Sequence, residues 1–199
     1  IFERAQYEGF CQRNPADLLE VGSSAPAARE TFSKTELTKL LSHLEREGLD
    51  DWRTLVLVGL CTAQRMRDCA RMMWSQIEGD VWACRQSKSA RKNSDGKLVR
   101  VPIVEPLRSH LVATRARATT LYVMPSLSAA PAGMSIQFTR LLEAAGIELA
   151  TTEKRGPKAN RRNRLSFHCL RHTTNSLMAN AGISQDVRRA ILGHANEAI

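Results

Sequence analysis

FHCLRHT, at residues 167–173, is the most informative segment of this 199-residue sequence, because charged and polar side chains interrupt an apolar pattern there. Ser166, just before it, is a preferred N-cap residue, and Gly182 is typical of the position that follows a helix. The sequence between them therefore predicts a helix from Ser166 to Ala181.

This predicted helix places two chemically versatile side chains together. His168 and Arg171 lie three residues apart, so about one helical turn brings them to the same face. Leu170, Thr174 and Leu177 are then expected to face the core. A histidine and an arginine on one face form the first part of a candidate site.

Two other segments carry polar residues in comparable positions. In TAQRMRDCARMMW, residues 62–74, Arg65 stands at the junction between two predicted apolar helices, 51–60 and 66–74. In LGH, residues 192–194, His194 directly follows the predicted end of a helix that Ser184 begins and Gly193 stops. These segments add an arginine and a histidine to the candidate site.

The rest of the chain predicts a fold that is mainly α with a small antiparallel β-sheet (α+β). Ser33 and Glu36 form a capping-box pattern ahead of a helix with leucines at helical spacing. Two β-favouring runs, 81–84 and 98–103, flank the turn signal Ser94-Asp95-Gly96 and predict a hairpin. Further helices are predicted over residues 105–114 and 135–145.

Linker composition divides the chain near its beginning. Residues 1–20 predict a short helix that runs into the helix-stopping pair Asn14-Pro15. The following VGSSAPAA, residues 21–28, is rich in small residues and proline. We expect residues 1–20 to end a preceding domain, residues 21–31 to form a linker, and residues 32–199 to form a second domain.

The charge balance favours a polyanionic partner. Lys and Arg number 29 against 20 acidic residues, which gives a formal charge of +9 and a pI near 9.8. A basic loop just before FHCLRHT is expected to contact a nucleic-acid backbone, and a purely solvated loop is the alternative interpretation. Its basic residues are Lys154, Arg155, Lys158, Arg161, Arg162 and Arg164.

Cysteine usage and the lack of long apolar runs predict the cellular compartment. The five cysteines, an odd number without a CxxC pair, argue against a disulfide framework and a zinc knuckle, and fit a reducing cytoplasm. No apolar run is long enough to cross a membrane, and no secretory signal opens the chain. We therefore expect a cytoplasmic protein without a membrane partner.

The order of the three polar segments resembles the tyrosine recombinase (phage integrase) family, whose catalytic domains carry Arg, then His-x-x-Arg-His, then Leu-Gly-His. Members usually read Thr-Gly-Leu-Arg at the first segment, where this chain has Thr62-Ala63-Gln64-Arg65. Asp68 stands at the family's acidic position, and Lys88 in QSKSARK at that of its hairpin lysine. The resemblance covers nearly all of the chain, linker included.

The resemblance implies a site-specific recombinase or integrase that cuts and rejoins double-stranded DNA through a 3′-phosphotyrosyl intermediate, with no metal, ATP or other cofactor. Phosphoryl transfer spreads negative charge over the non-bridging oxygens of the phosphate. Arg65 and Arg171 would neutralise that charge, because a guanidinium group presents a planar fork to two oxygens.

The same resemblance assigns roles to the other site residues. His168 and His194 would donate hydrogen bonds or move protons near neutral pH. Lys88 would protonate the departing 5′ oxygen, and Lys92 or Lys97 could take that place instead. Supporting roles fall to Asp68 and His172.

No residue of this sequence matches the nucleophilic tyrosine of the family. The family's tyrosine lies a short loop beyond Leu-Gly-His, this sequence ends at Ile199, and Tyr7 and Tyr122 match no motif position. The chain as given is therefore expected to bind phosphate without cleaving it, and to be a monomer. The full-length protein is expected to act as a tetramer on two DNA sites, encoded by a bacterial or phage mobile element.

Other interpretations remain open. His168 and His172 have a spacing that can bind zinc, but no HExxH pattern or cysteine ligand set accompanies them, so no metal site is predicted. A type IB topoisomerase or a telomere resolvase would use the same residues, and a catalytically inactive DNA-binding regulator could retain the fold. The intact Arg65, His168 and Arg171 favour an enzyme over the regulator.

Overall fold

The structure, a computed structural model, describes residues 2–13, 30–86, 97–129, 131–149 and 163–193. In these ranges the chain is mainly helical with one three-stranded antiparallel sheet, so the predicted fold class is confirmed. The helices are α1 (Phe2–Tyr7), α2 (Lys34–Arg46), α3 (Asp50–Thr62), α4 (Met66–Ala70), α5 (Leu107–Arg115), α6 (Met134–Ala144), α7 (Phe167–Asn180) and α8 (Gln185–Leu192). The strands are β1 (Ile77–Glu78), β2 (Val81–Gln86) and β3 (Lys97–Pro102).

The helix boundaries follow the capping residues. At α2 the Ser33 hydroxyl accepts from the Glu36 backbone N–H at 3.2 Å, and the Glu36 carboxylate accepts from the Ser33 N–H at 2.8 Å, which confirms the capping box. Ser166 is the N-cap of α7, and Gly182 follows that helix with a φ of +76°. Both predicted ends of α7 are therefore confirmed.

The sheet runs in the order β1-β2-β3, and β2 pairs with β3 in the predicted hairpin. Trp82 lies opposite Val101 and Cys84 opposite Val99, and all four side chains are buried. Strand β1 was not predicted, because two residues are too few to show an alternating pattern. The hairpin loop, residues 87–96, lies outside the described residues.

Two expectations about helices are wrong. The helix predicted over residues 66–74 ends at Ala70, because the chain pairs with a distant segment: Trp74 N–H donates to Leu121 O and Val123 N–H to Met72 O, each at 3.0 Å. Leu177, predicted to face the core, is 57% exposed, because the buried side chains of α7 all lie in its first two turns, up to Thr173.

The predicted domain division stays a prediction. Helix α1 ends at Tyr7, well before the helix-stopping pair Asn14-Pro15, and residues 14–29 lie outside the described ranges. None of the helices that the structure describes combines the length and the apolar character needed to cross a lipid bilayer.

Helix α3 is the centre of the core and sets the position of α7. Buried side chains cover most of its surface, including Leu55, Val56 and Val58. Gly59 lets α7 approach closely, since a Cβ atom there would stand 2.4 Å from the Phe167 ring. The close contact therefore fixes the start of the helix that carries the FHCLRHT residues.

We expect Gly59→Ala to lower the free energy of unfolding by about 1–3 kcal/mol, since the added methyl group must displace the buried Phe167 ring. Chemical denaturation monitored by circular dichroism measures the change. Helix propensity alone predicts the opposite, a gain of about 1 kcal/mol for alanine over glycine. A gain of that size would contradict the close packing of α3 on α7.

Candidate active site

A surface cleft of about 520 Å³ lies where the beginnings of α4, α6 and α7 meet. Its lining includes cationic, hydroxyl and amide groups as well as apolar side chains. The lining residues are Arg65, Met66, Ser135, Thr139, Asn163, Leu165, Ser166, Phe167 and His168. The cleft thus brings Arg65 and His168, which are far apart in sequence, to one place.

Arg65 reaches the cleft from the tight turn between α3 and α4. It is the N-cap residue of α4 and keeps an extended backbone, while Ala63 before it adopts the left-handed conformation with a φ of +56°. The guanidinium Nη1 lies 3.8 Å from Asp68 Oδ2, and it has no hydrogen-bond acceptor among the described residues. Nη1 is therefore buried beside a buried carboxylate, and the side chain as a whole, which is 30% exposed, lines the cleft.

Arg171 stands behind the cleft and is nearly buried, with 5% of its surface exposed. Its Nη1 donates to Ala63 O and its Nη2 to Leu192 O, each at 2.7 Å. These bonds use two of its five N–H groups. Burial, and then the charge of Arg65, lower the pKa of Arg171 to about 10, so the side chain stays cationic at neutral pH.

The two histidines of α7 lie in different surroundings. His168 is exposed in the first turn and lines the cleft, whereas His172 is half-buried one turn later. Their rings meet edge to face, with centroids 4.7 Å apart and an angle of 86° between the planes. His172 thus contacts His168 from behind. No group of three or more possible metal ligands occurs in the described part of the chain.

The buried thiols near the site are unsuited to act as nucleophiles. Burial, and then the charge of Asp68, raise the pKa of Cys84 to about 12, and burial also raises the pKa of Cys69 well above its usual value. A thiol attacks as its thiolate, and such pKa values leave almost none at neutral pH. Neither Tyr7 nor Tyr122 lines the cleft.

Arg164, predicted to contact DNA, is bonded within the protein. Its guanidinium pairs with the carboxylates of Glu36 and Glu30 and donates to Glu148 O. The hydrogen bond to Glu36 raises the pKa of Arg164. Burial alone would raise the pKa of Glu36, but the hydrogen bonds from Ser33 and Arg164 outweigh burial, so the pKa of Glu36 is lowered. The geometry therefore supports a bracing role between α2 and the segment before α7.

We expect Arg164→Gln to lower the free energy of unfolding by about 1–2 kcal/mol, since it removes charged hydrogen bonds from a partly exposed side chain. The salt dependence of DNA binding should not change. Arg161→Gln is the matched control, and it should reduce the slope of log K against log salt by about 0.9 with stability unchanged. If Arg164→Gln reduced the salt dependence of DNA binding and left stability unchanged, Arg164 would be a DNA contact, as the sequence predicted.

Several predicted site residues lie outside the described ranges: Lys88, Lys92, Lys154, Arg155, Lys158, Arg161, Arg162 and His194. Lys97 begins β3, so it stands at the end of the hairpin rather than in its loop. Leu192, two residues before His194, accepts the hydrogen bond from Arg171. Leu192 of the third motif segment therefore contacts Arg171 of the second.

The sequence matches the phage integrase family over residues 30–199, which is most of the chain. The chain belongs to the phage integrase family. Its structure, with a TM-score of 0.70, is similar to that of a λ integrase dimer bound to a COC′ core site, at 20% sequence identity over 98% of this chain and 68% of that one. These findings confirm the resemblance to a tyrosine recombinase catalytic domain.

Other solved integrases share the fold. The Tn1549 transposon integrase in complex with circular intermediate DNA has a TM-score of 0.66 and 14% identity, over 98% of this chain and 68% of that one. The catalytic domain of bacteriophage HP1 integrase has a TM-score of 0.59 and 22% identity, over 85% and 83%. The chain spans 53–68% of the length of the DNA-bound λ integrase chains. A comparison with curated proteins found no match.

Two positions of the first motif depart from the usual phage integrase pattern. Ala63 stands where members usually have glycine, and its positive φ explains that glycine, since L side chains are strained there. Gln64 replaces the usual leucine and is buried against Gln86. Neither glutamine was predicted as a site residue, although a polar side chain at position 64, which is usually leucine, was a usable signal for the first.

Proposed function

We propose that this chain is the catalytic domain of a site-specific DNA recombinase that cleaves and rejoins DNA through a 3′-phosphotyrosyl intermediate, without metal or ATP. One observation carries the proposal: the partly exposed Arg65 and His168 line one cleft, and Arg171 is fixed behind it. Two guanidinium groups held near each other suit a doubly charged transition state.

In the proposed reaction the hydroxyl oxygen of a tyrosine attacks the scissile phosphorus, and the bond from phosphorus to the 5′ oxygen breaks. The tyrosine gives its proton to a histidine of the site, His168 or His194, as the new bond forms, and Lys88 protonates the departing oxygen. Arg65 and Arg171 stabilise the non-bridging oxygens in the transition state. Because the phosphodiester energy is kept in the protein–DNA bond, a 5′-hydroxyl can reverse the step and rejoin the strand.

The remaining residues support this chemistry. His168 and His194 donate hydrogen bonds to the phosphate or relay protons. The Asp68 carboxylate holds the charge of Arg65 in place, and His172 supports the ring of His168. The basic residues between positions 151 and 162, together with the charge of +9, attach the domain to the DNA backbone.

The working assembly is proposed to be a tetramer on two DNA sites. One solved relative is a λ integrase tetramer bound to a Holliday junction, with a TM-score of 0.70 and 20% identity over 100% of this chain and 56% of that one. Residues 1–20 would end a core-binding domain, and residues 21–31 would link it to the catalytic domain. The two domains would then close around the duplex as a clamp in the cytoplasm of a bacterial cell.

A plasmid assay tests the proposal against two alternatives, a type IB topoisomerase and an inactive DNA-binding regulator. The target site is first selected by binding of the natural full-length protein to a random duplex library, and two copies are placed in a supercoiled plasmid. A recombinase inverts or deletes the segment between the sites in the presence of EDTA. A type IB topoisomerase relaxes plasmids with or without the sites, and an inactive regulator binds the sites and changes neither plasmid.

The leaving-group role of Lys88 predicts a specific chemical rescue. Lys88→Ala should slow cleavage about 10²–10⁴-fold, because the departing alkoxide lacks its acid. A bridging sulfur in place of the 5′ oxygen should restore the rate, since a thiol has a pKa near 8.5 and leaves without a proton. If the sulfur restored the cleavage rate of Lys92→Ala or Lys97→Ala instead, that lysine would be the acid. Arg171→Ala is the control, because the sulfur should not restore its cleavage rate.

A further inference from the structure

Two glutamine side chains meet in the interior behind the cleft. Gln64 is 1% exposed and Gln86 is fully buried, although glutamine is usually a surface residue. The Gln86 Nε2 donates to Gln64 Oε1 at 2.8 Å, so the turn that carries Arg65 is joined to the end of β2. Burying two amide groups is costly unless they are hydrogen-bonded, which makes the partners informative.

Two of the three other amide hydrogens bind the end of α8, and the third binds the end of α3. Gln64 Nε2 donates to Ile191 O at 2.7 Å and to Thr62 O at 3.0 Å, and Gln86 Nε2 also donates to Leu192 O at 3.1 Å. The last carbonyls of a helix have no partner within the helix. Here the glutamines supply the missing donors, and all four of their amide hydrogens are used.

Arg171 shares these partners. Its Nη2 donates to the same Leu192 oxygen that accepts from Gln86, and its Nη1 donates to Ala63 O, next to Gln64 in the chain. Gly193 permits this arrangement, because it has a φ of +68° and a Cβ atom there would lie 2.3 Å from the Gln86 amide nitrogen. The glutamines and Arg171 therefore hold one helix end and one turn.

We propose that Gln64 and Gln86 are positioning residues that act as one unit and set the orientation of the Arg171 guanidinium. They fix the two carbonyl oxygens that accept hydrogen bonds from that group, Leu192 O at the end of α8 and Ala63 O in the turn before Arg65. The inference rests on the proposed function, since a guanidinium must be oriented only if a phosphate is activated. The leucine that usually stands at position 64 could not make these bonds.

The test uses the natural full-length protein and its selected DNA site. The variants Gln64→Leu, Gln86→Leu and their double are compared for the single-turnover rate of protein–DNA adduct formation and for DNA affinity. Each single change should slow adduct formation about 10-fold, as is typical when a group that orients a site residue is lost. The Kd should change less than about 2-fold, and the double variant should be no slower than the slower single variant, since coupled residues are not additive.

Gln76→Leu is the matched control. Its Oε1 accepts from Met73 N at 3.0 Å and from Trp82 Nε1 at 3.3 Å, so it braces the sheet and contacts neither Arg171 nor α8 among the described residues. The control should lower Tm and leave the adduct rate unchanged. If it slows the reaction as much as Gln64→Leu does at a similar loss of Tm, the effect is general destabilisation and the inference is overturned.

Amide hydrogen exchange without DNA gives a readout that does not depend on activity. Gln64→Leu and Gln86→Leu should both speed exchange in residues 190–193, whereas Gln76→Leu should not. If Gln64→Leu and Gln86→Leu formed the adduct at the normal rate, or left exchange unchanged, the inference that the glutamines position Arg171 would be overturned. If the unaltered protein forms no adduct, the proposed function fails, and the exchange experiment alone decides whether the glutamines hold the end of α8.

Discussion

Replacing Arg171 with alanine is expected to slow DNA cleavage about 10³-fold, the upper end of the loss found when one donor to a developing charge is removed. DNA affinity should fall less than about 5-fold, because many basic residues contact the backbone and a transition-state contact contributes little to ground-state binding. The measurement is the single-turnover rate of adduct formation by the natural full-length protein on nicked DNA, together with its Kd.

The same substitution is expected to lower the free energy of unfolding by roughly 2–4 kcal/mol. It leaves the buried carbonyls of Ala63 and Leu192 without their cationic donor, and charged hydrogen bonds contribute more than neutral ones. Arg171→Lys keeps a charge but loses the planar fork, so it should remain folded and still cleave about 10²-fold more slowly. A stable Arg171→Ala protein that cleaves within 10-fold of the normal rate would contradict both roles.

The second large effect is expected from Arg65→Gln, with a different signature. Cleavage should slow about 10²–10³-fold, while the free energy of unfolding should change by less than about 1 kcal/mol. The reason is that Arg65 is 30% exposed, and its one ion pair among the described residues spans 3.8 Å. Adduct kinetics and chemical denaturation measure the two quantities.

Arg67→Gln is the matched control, because Arg67 is exposed on the same short helix and the change removes the same charge. It should leave the cleavage rate within about 2-fold of normal, since ordinary surface substitutions have small effects. Equal losses for Arg65→Gln and Arg67→Gln would show that net charge on α4, rather than the position of Arg65 in the cleft, controls the reaction.

The motif-bearing elements could be predicted because their signals are local. Ser33, Ser166 and Ser184 cap helices that the structure contains, and Gly182 and Gly193 follow helix ends in left-handed conformations. The β-favouring runs on either side of residues 87–96 also paired as predicted. Capping and turn preferences depend on a few adjacent residues, so one sequence suffices to read them.

Features that depend on distant partners could not be predicted. Helix α4 is short because Met72 and Trp74 bond to a segment near residue 122, a contact with no trace in the local pattern. His168 and Arg171 share a face of α7, yet one is exposed and the other buried, because the turn after α3 and the end of α8 cover only the second. The ion pairs of Arg164 and the Gln64–Gln86 contact likewise required the fold.

The most direct test of the account is the chemistry of the bond between protein and DNA. The natural full-length protein is incubated in EDTA with nicked DNA carrying its selected site, then denatured, digested and mapped by mass spectrometry. We predict a tyrosine beyond His194 joined to a 3′ phosphate, a free 5′-hydroxyl on the other side of the break, and no adduct with Arg171→Ala. Salt-sensitive binding of the same DNA without any adduct, or a break that leaves a 5′ phosphate, would contradict the account.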